Sequence, residues 1–423
     1  MKPRKCAGVL HETLPNGLRV IVEPLKEFSS VSIGVWVLTG SRDEVEAQSG
    51  ITHFIEHLAF KGTPGRDARQ IALEIDSLGG SLNAFTGKEF TSFYARVLGE
   101  GLPQALSVLS DITLNSIFDQ DDINRERDVI LQEISMVDDT PDDFIHDLHC
   151  REFWSDHSLG RPILGTQGSL EVIARDDIVS FHNTYFLADR MIITAAGALD
   201  PEGFLRDVSG IFSHLDPCPI SYTRFLPDET PGLCVQERPV EQVHFCVGYP
   251  GLKVGDERRY AMSLLNTVLG GGMSSRLFQK IREEYGLAYS VYSYHSAYQD
   301  TGMQTIYCGT SRDGFPKALQ IVREETRDFI AQPVPESELA TAKLQLKGNL
   351  LLGLESTGNR MNQLARNEIY FGRQISSEEI EEGINAVTAQ EIRDLSSDLF
   401  RDDRMALTVI GPISEEEVRE VRG

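Results

Sequence analysis

The six cysteines are scattered, and no two of them form a C-x-x-C pair. This excludes an obvious zinc knuckle and supplies no disulfide framework, so a reducing cytoplasm is the expected compartment. Long apolar runs are missing as well. Residues 32–38 and 191–199 are the most apolar stretches and are far too short to cross a bilayer. The basic start Met1-Lys2-Pro3-Arg4-Lys5-Cys6 has no apolar segment behind it before His11 and Glu12, and no Arg- and Ser-rich continuation. Neither a secretory signal nor a transit peptide is expected. Cations are scarce: 40 Lys and Arg stand against 64 Asp and Glu, a net charge of −24. That balance argues against a nucleic-acid partner and for basic or neutral ligands, and it serves solubility equally well. The chain that remains has 423 residues, 41% of them hydrophobic, enough for two or three domains with sizeable cores.

Residues 49–62 hold the most informative pattern. Ile51, Phe54, Ile55, Leu58, Ala59 and Phe60 cover most of a short helix, as expected inside a domain. Ser49 is placed to cap its start and Gly62 to end it. His53 and His57 are four residues apart and project from one face, and Glu56 shares that face. Two imidazoles and a carboxylate are costly to bury in such a helix unless something satisfies them, and a divalent cation does so. His-x-x-Glu-His is also the inverted order of the zinc-protease motif. Catalytic zinc usually takes three protein ligands, so a third is needed.

Leu18–Val22 reads as a strand after the Pro15-Asn16-Gly17 turn, and Val31–Val37 as a second strand. Ala68–Leu78 reads as a helix. Ser81–Thr86 and Glu89–Val97 read as a hairpin, and Leu102–Ile117 has helical spacing. The next helix runs to Asp138, with Asp121 and Asp122 as candidate caps. Glu126, Ile130, Glu133 and Val137 form one stripe of it, so Glu133 or Glu126 could ligate while the other orients a histidine or a water. Pro217, Pro219, Pro227 and Pro231 mark a linker. After it the pattern restarts: Val243–Tyr249 parallels Val31–Val37, and Tyr260–Leu269 parallels the His53 helix without its ligands. Gly314-Phe315-Pro316-Lys317-Ala318-Leu319 echoes Gly101-Leu102-Pro103-Gln104-Ala105-Leu106. We expect an α+β chain of two homologous α/β domains, residues 1–216 and 232–423, joined by a linker at 217–231, with only the first copy holding metal. Gly270-Gly271-Gly272 lacks the Gly-Lys-Ser/Thr ending of a phosphate loop.

His53-Phe54-Ile55-Glu56-His57, followed by Glu126-Arg127-Asp128-Val129-Ile130-Leu131-Gln132-Glu133-Ile134, resembles the pitrilysin or insulinase family of zinc metallopeptidases. The similarity is greatest to its branch of processing peptidases. His157-Ser158-Leu159-Gly160-Arg161-Pro162-Ile163-Leu164-Gly165 resembles a family segment too, one we read as structural. Ser274–Ser290 is similar to the family's C-terminal signature.

The resemblance implies one Zn²⁺ per chain on His53, His57 and Glu133, with Glu126 as a supporting acid. It implies that Glu56 moves the proton and that Arg282 and Tyr289 contact substrate. It further implies an extended peptide added as a strand near Asn83 and Ala84, inside a chamber closed by two domains or two subunits. A homodimer or a heterodimer with a related subunit is therefore expected, with peptide substrates and no membrane or nucleic-acid partner. An acidic chamber would prefer basic peptides. Two rivals stand beside this reading: a non-catalytic partner or scaffold subunit of a processing-peptidase-like complex, and hydrolysis of a non-peptide substrate.

Overall fold

The computed structural model describes residues 8–215, 217 and 224–422. The basic start and residues 218–223 of the expected linker, Pro219 among them, lie outside the described residues. Thirteen strands are present among the described residues: β1 Leu10–Thr13, β2 Arg19–Pro24, β3 Ser30–Val37, β4 Gly62–Thr63, β5 Arg66–Asp67, β6 Ser81–Thr86, β7 Thr91–Leu98, β8 Met191–Gly197, β9 Gly232–Glu237, β10 Val243–Pro250, β11 Ala288–Ala297, β12 Gly302–Thr310 and β13 Ala406–Gly411. Among the helices of the first half are α1 Ile51–Ala59, α2 Ala68–Ser77, α3 Leu102–Leu114, α4 Gln120–Asp138 and α5 Pro141–Phe153. Among the described residues, no helix is long and apolar enough to cross a membrane.

Two compact units share the chain, each built on its own mixed sheet. The first sheet has the order β1-β2-β8-β3-β7-β6 and the second β11-β12-β10-β13-β9. In the first, β6/β7, β7/β3 and β3/β8 are antiparallel and β8/β2 is parallel. In the second, β11/β12, β12/β10 and β10/β13 are antiparallel and β13/β9 is parallel. The same pairing scheme thus occurs twice, in step with the repeat seen in the sequence. Central strands are covered on both faces, so they read as nearly continuous apolar runs; every residue of β8 and β10 is buried. Each fully buried Val, Leu, Ile or Phe side chain contributes about 1.5–3 kcal/mol, and each unit has its own cluster of them.

The units do not follow the contiguous halves expected from the sequence. Unit 1 comprises Met1–Ser135, Arg161–Arg224 and Leu352–Ser376; unit 2 comprises Met136–Gly160, Phe225–Leu351 and Ser377–Gly423. The physical reason is an exchange of one covering helix. Helix Thr357–Phe371 lays Met361, Leu364 and Ala365 on Ile21, Trp36, Ile192 and Ala196 of the first sheet. Helix α5 lays Ile145 and Leu148 on Cys246, Tyr307 and Ile410 of the second.

Candidate metal centre

Helix α1 is fixed at its start by a residue from the preceding loop. Glu44 accepts hydrogen bonds from the N–H groups of Gly50 (2.8 Å) and Thr52 (2.9 Å). It does the capping expected of Ser49, because Gly50, in the left-handed region at φ +92°, is the N-cap and turns Ser49 away. A Cβ on Gly50 would lie 2.6 Å from Leu164 O, so the 161–165 segment packs directly under the helix start. Ser169 Oγ adds a hydrogen bond to Ser49 O (2.7 Å), and Arg161 Nη2 donates to Glu44 O. Burial pushes the Glu44 carboxyl up to about 7, against the lowering pull of Gly50, Thr52 and Lys88. The far end differs too: Phe60 closes the helix, and Gly62 has already entered β4. Ile51, Phe54, Ile55, Leu58 and Ala59 are buried, which leaves His53, Glu56 and His57 on the other face.

Helix α4 supplies the glutamates. Asp119, rather than Asp121 or Asp122, caps it, accepting from the N–H groups of Asp121 (2.9 Å) and Asp122 (3.4 Å). It lies one turn nearer the start, where its carboxylate reaches the free N–H groups. Arg127 fixes the rotation of α4. Its Nε donates to Leu170 O (2.9 Å), its Nη2 to Ile173 O (2.7 Å), and its guanidinium lies 5.7 Å from the Phe54 ring of α1. Glu126 is thereby buried at His57, with Oε2 at 3.1 Å from Nδ1, while Lys61 Nζ holds its other oxygen at 2.7 Å.

Glu133 Oε2 lies 3.7 Å from His57 Nε2 and 3.9 Å from His53 Nε2. These separations are too long for hydrogen bonds. Zinc bonds of about 2.0–2.2 Å would set donor atoms roughly 3.3–3.6 Å apart in a tetrahedron, so the group fits a small divalent ion with slight contraction. Ligand atoms of His53, His57 and Glu133 all fall within 4.8 Å of one another, the one such group among the described residues. Burial, with His57 adding, lowers the His53 pKa to about 4, which keeps its lone pair available. With Glu126 facing Nδ1 of His57, Nε2 of that ring is the atom turned to Glu133. The Glu56 pKa is raised, chiefly by burial.

The other expected site residues fall in two places. Asn83 and Ala84 lie on β6, an edge strand of the first sheet, where Ala84 N–H donates to Asn83 Oδ1 (2.8 Å). Arg282 and Tyr289 belong to unit 2 and touch each other: Arg282 Nη1 donates to Tyr289 O (3.0 Å), and the guanidinium sits 4.6 Å from the ring. Arg282 lies in a π-helical segment, Phe278–Glu284, and Tyr289 on β11 is 80% exposed. His157 is a loop residue, with Nε2 at 3.1 Å from Phe225 O and Nδ1 accepting from Leu159 N. The sequence reading missed three contacts at the site: Glu44 on the helix start, Lys61 on Glu126, and Thr86, whose Oγ1 donates to Glu56 Oε2 (2.5 Å). Only Thr86 left a signal, as a polar residue ending the inward face that Ala84 shares on β6.

Comparison with known proteins bears on the family and the fold. Residues 19–167 match the family described as Insulinase (Peptidase family M16), and residues 173–346 match its partner description, Peptidase M16 inactive domain. An uncharacterized zinc protease of Bacillus subtilis, YmxG, is 41% identical over 400 residues, covering 95% of this chain and 97% of its own. An uncharacterized zinc protease of Streptomyces coelicolor is 39% identical over 417 residues, 97% of this chain and 91% of its own. Among solved structures, a protease from Helicobacter pylori superposes with a TM-score of 0.88 at 20% identity, over 96% of this chain and 99% of that one. A peptidase M16 inactive domain from Pseudomonas fluorescens does so at 0.89 and 20%, over 96% and 98%. At that identity the two structures speak for the fold alone. The sequence relatives decide the rest: the chain belongs to the insulinase family of peptidases.

Proposed function

We propose that this chain is a zinc metalloendopeptidase of processing-peptidase type, acting on peptides or unfolded segments. The observation that carries the reading is the convergence of His53, His57 and Glu133 from two helices, with Glu56 on the same face. Zn²⁺ on these three residues would supply a Lewis acid that polarises the scissile carbonyl and renders water nucleophilic at neutral pH. Glu56 takes a proton from the attacking water and returns it to the leaving amine. Glu126 orients His57. The peptide pairs with the edge of β6 beside Asn83 and Ala84, where backbone hydrogen bonding makes little demand on sequence. Arg282 and Tyr289 contact substrate, the phenol favouring the charge that develops on the carbonyl oxygen. The assembly we propose is a homodimer or a heterodimer with a related subunit, enclosing the substrate.

The test is cleavage of a mixed peptide library by the purified protein, with and without chelator, and with Glu56→Gln as control. Chelator-sensitive cleavage that the substitution abolishes supports the reading. A protein that binds one zinc per chain yet cleaves nothing, alone or with a related subunit added, returns it to the scaffold role. That second reading has one observation in its favour, the inactive-domain description of residues 173–346. Those residues include none of His53, Glu56, His57 or Glu133.

A further inference from the structure

We propose that Thr86 is a positioning residue that aims the Glu56 carboxylate at the reacting water, and that the turn following it is pinned to hold it there. The inference rests on the reading of Glu56 as the proton carrier. Glutamate has three rotatable side-chain bonds, and a base that wanders by an ångström loses about 10²-fold in rate. Here the Thr86 hydroxyl takes Oε2 at 2.5 Å. That contact, together with a hydrogen bond from the Thr86 backbone, restrains the rotation of the carboxylate.

Thr86 ends β6, so the turn beyond it decides where its hydroxyl sits. Gly87 N–H donates to Phe90 O (2.9 Å) and closes the turn. Ser41 N–H donates to Gly87 O (3.1 Å) and Arg42 N–H to Lys88 O (2.8 Å), tying the turn to the loop that leads into α1. The approach is so close that a Cβ on Gly40 would stand 2.3 Å from Gly87 O. The next residue, Glu89, has a side chain only 1% exposed and accepts from Arg42 Nη1 (2.8 Å), Arg224 Nη1 (3.1 Å) and Tyr370 OH (3.0 Å). Arg224 also bridges to Asp43 at 2.9 Å. A buried ion cluster is a poor means of gaining stability, since desolvation offsets most of its attraction. Its use is to select one arrangement, and the arrangement it selects is the turn that carries Thr86.

The experiment compares Thr86→Val, which keeps the shape without the hydroxyl, with Thr86→Ser, which keeps the hydroxyl. Steady-state cleavage of one peptide is read as kcat and KM, with zinc per chain measured on each variant. Peptide affinity is measured separately on the Glu56→Gln background, with and without Thr86→Val. The expected result is a kcat about 10–100-fold lower for the valine variant, with KM, zinc content and peptide affinity within twofold, and near-complete recovery in the serine variant. Tyr370→Phe loosens the turn through Glu89 without touching Glu56, and should lower kcat by a smaller factor at unchanged KM. A valine variant with full kcat, or one whose loss follows zinc content or KM, overturns the proposal. Should Thr86→Val fail to fold, the serine and Tyr370→Phe kinetics decide. If Glu56→Gln itself keeps full turnover, it is the reading of Glu56 that fails, separately from Thr86.

Discussion

In the first unit a polar bridge joins helix α1 to the edge strand β6, Glu56 to Thr86. In the second, the helix Arg259–Gly270 is joined to the edge strand β11 in the same way, but by a neutral amide: Asn266 Oδ1 accepts from Ser293 Oγ (2.8 Å) and from Gln304 Nε2 (2.9 Å). Both helices follow corresponding strands, β3 and β10, in sheets with the same pairing scheme. The fold therefore has room for a polar residue at this place, and an amide is enough to satisfy it. A carboxylate there costs more to desolvate than an amide. The second unit shows what stability alone asks for. The first departs from it along one helix face, where two histidines and a glutamate replace apolar or neutral residues, and local departures of this kind mark functional sites.

The largest expected effect comes from making the first unit resemble the second. Glu56→Gln puts an amide against Thr86. Peptide hydrolysis should fall about 10³-fold, while thermal stability holds or rises slightly. The mirror change, Asn266→Asp, buries a carboxylate with no chemistry to perform and should cost about 1–3 kcal/mol, read from denaturant unfolding. If the two substitutions destabilise their units equally, the distinction between a functional and a structural bridge fails.

Buried carboxylates away from the site sharpen the comparison. Glu89 of unit 1 faces Arg42, whose side chain is 1% exposed, whereas Glu325 of unit 2 faces Lys280 and Arg276, 42% and 17% exposed. Removing Glu89 takes a buried carboxylate from two little-exposed cations, Arg42 and Arg224, and Glu89→Ala should cost about 3–5 kcal/mol. Glu325→Ala frees cations that can rehydrate or turn to Glu338, and about 1–2 kcal/mol is expected. Chemical denaturation of both variants checks the ranking.

Acid and chelator should act on the units differently. Burial holds His149 at about 3 and His295 at about 4 in unit 2, and His53 at about 4 in metal-free unit 1, with His57 adding there. An unfolded chain takes these protons near 6.5, the ordinary histidine value, and the folded one resists them. The stability they contribute is therefore complete above 6.5 and is lost as the pH falls toward 4. Zinc adds to unit 1 alone, about 2.7 kcal/mol when free metal is a hundredfold above its Kd. Calorimetry with and without chelator, from pH 7 to pH 4, should show acid lowering both units and chelator lowering only the first. A chelator shift common to both would mean that the units do not unfold as separate bodies.

What the sequence disclosed follows from how locally each feature is encoded. His53, Glu56 and His57 were legible because helical spacing alone sets them on one face. Glu126 and Glu133 were legible as a stripe, although nothing local says which of them meets the histidines; Arg127 settles that through contacts more than forty residues away, at Leu170 and Ile173. Strands β3 and β10 and the repeat were legible from apolar runs. The exchange of α5 and the helix Thr357–Phe371 was not, because an apolar stripe says that a helix covers something and not which sheet it covers. Thr86 left only the faint signal of a polar residue on the inward face of β6, for a related reason: a hydroxyl at a strand end has meaning only once the facing helix is known. The π-helical segment at Arg282 carries no periodicity that separates it from an α-helix over seven residues.

The smallest expected effect concerns the cap of α1, and it sets the loop-borne Glu44 against the adjacent Ser49. The homologous helix of unit 2, Arg259–Gly270, has no side-chain cap, so a helix here folds on its packing. What Glu44 adds is a fixed entry angle for the helix that bears the ligands. Glu44→Ala removes the acceptor for two N–H groups and should cost about 1 kcal/mol. Ser49 Oγ is buried and has no hydrogen-bond partner among the described residues, so Ser49→Ala should change stability by less than about 0.5 kcal/mol. The pH dependence gives an independent check. A carboxyl raised to about 7 in the folded state stabilises most at low pH and loses that contribution as the pH climbs from 4.5 through 7. Glu44→Gln should flatten this slope. Equal costs for Ser49→Ala and Glu44→Ala would mean that the local signature caps the helix after all, and that the α1 start needs nothing beyond what its counterpart in unit 2 lacks.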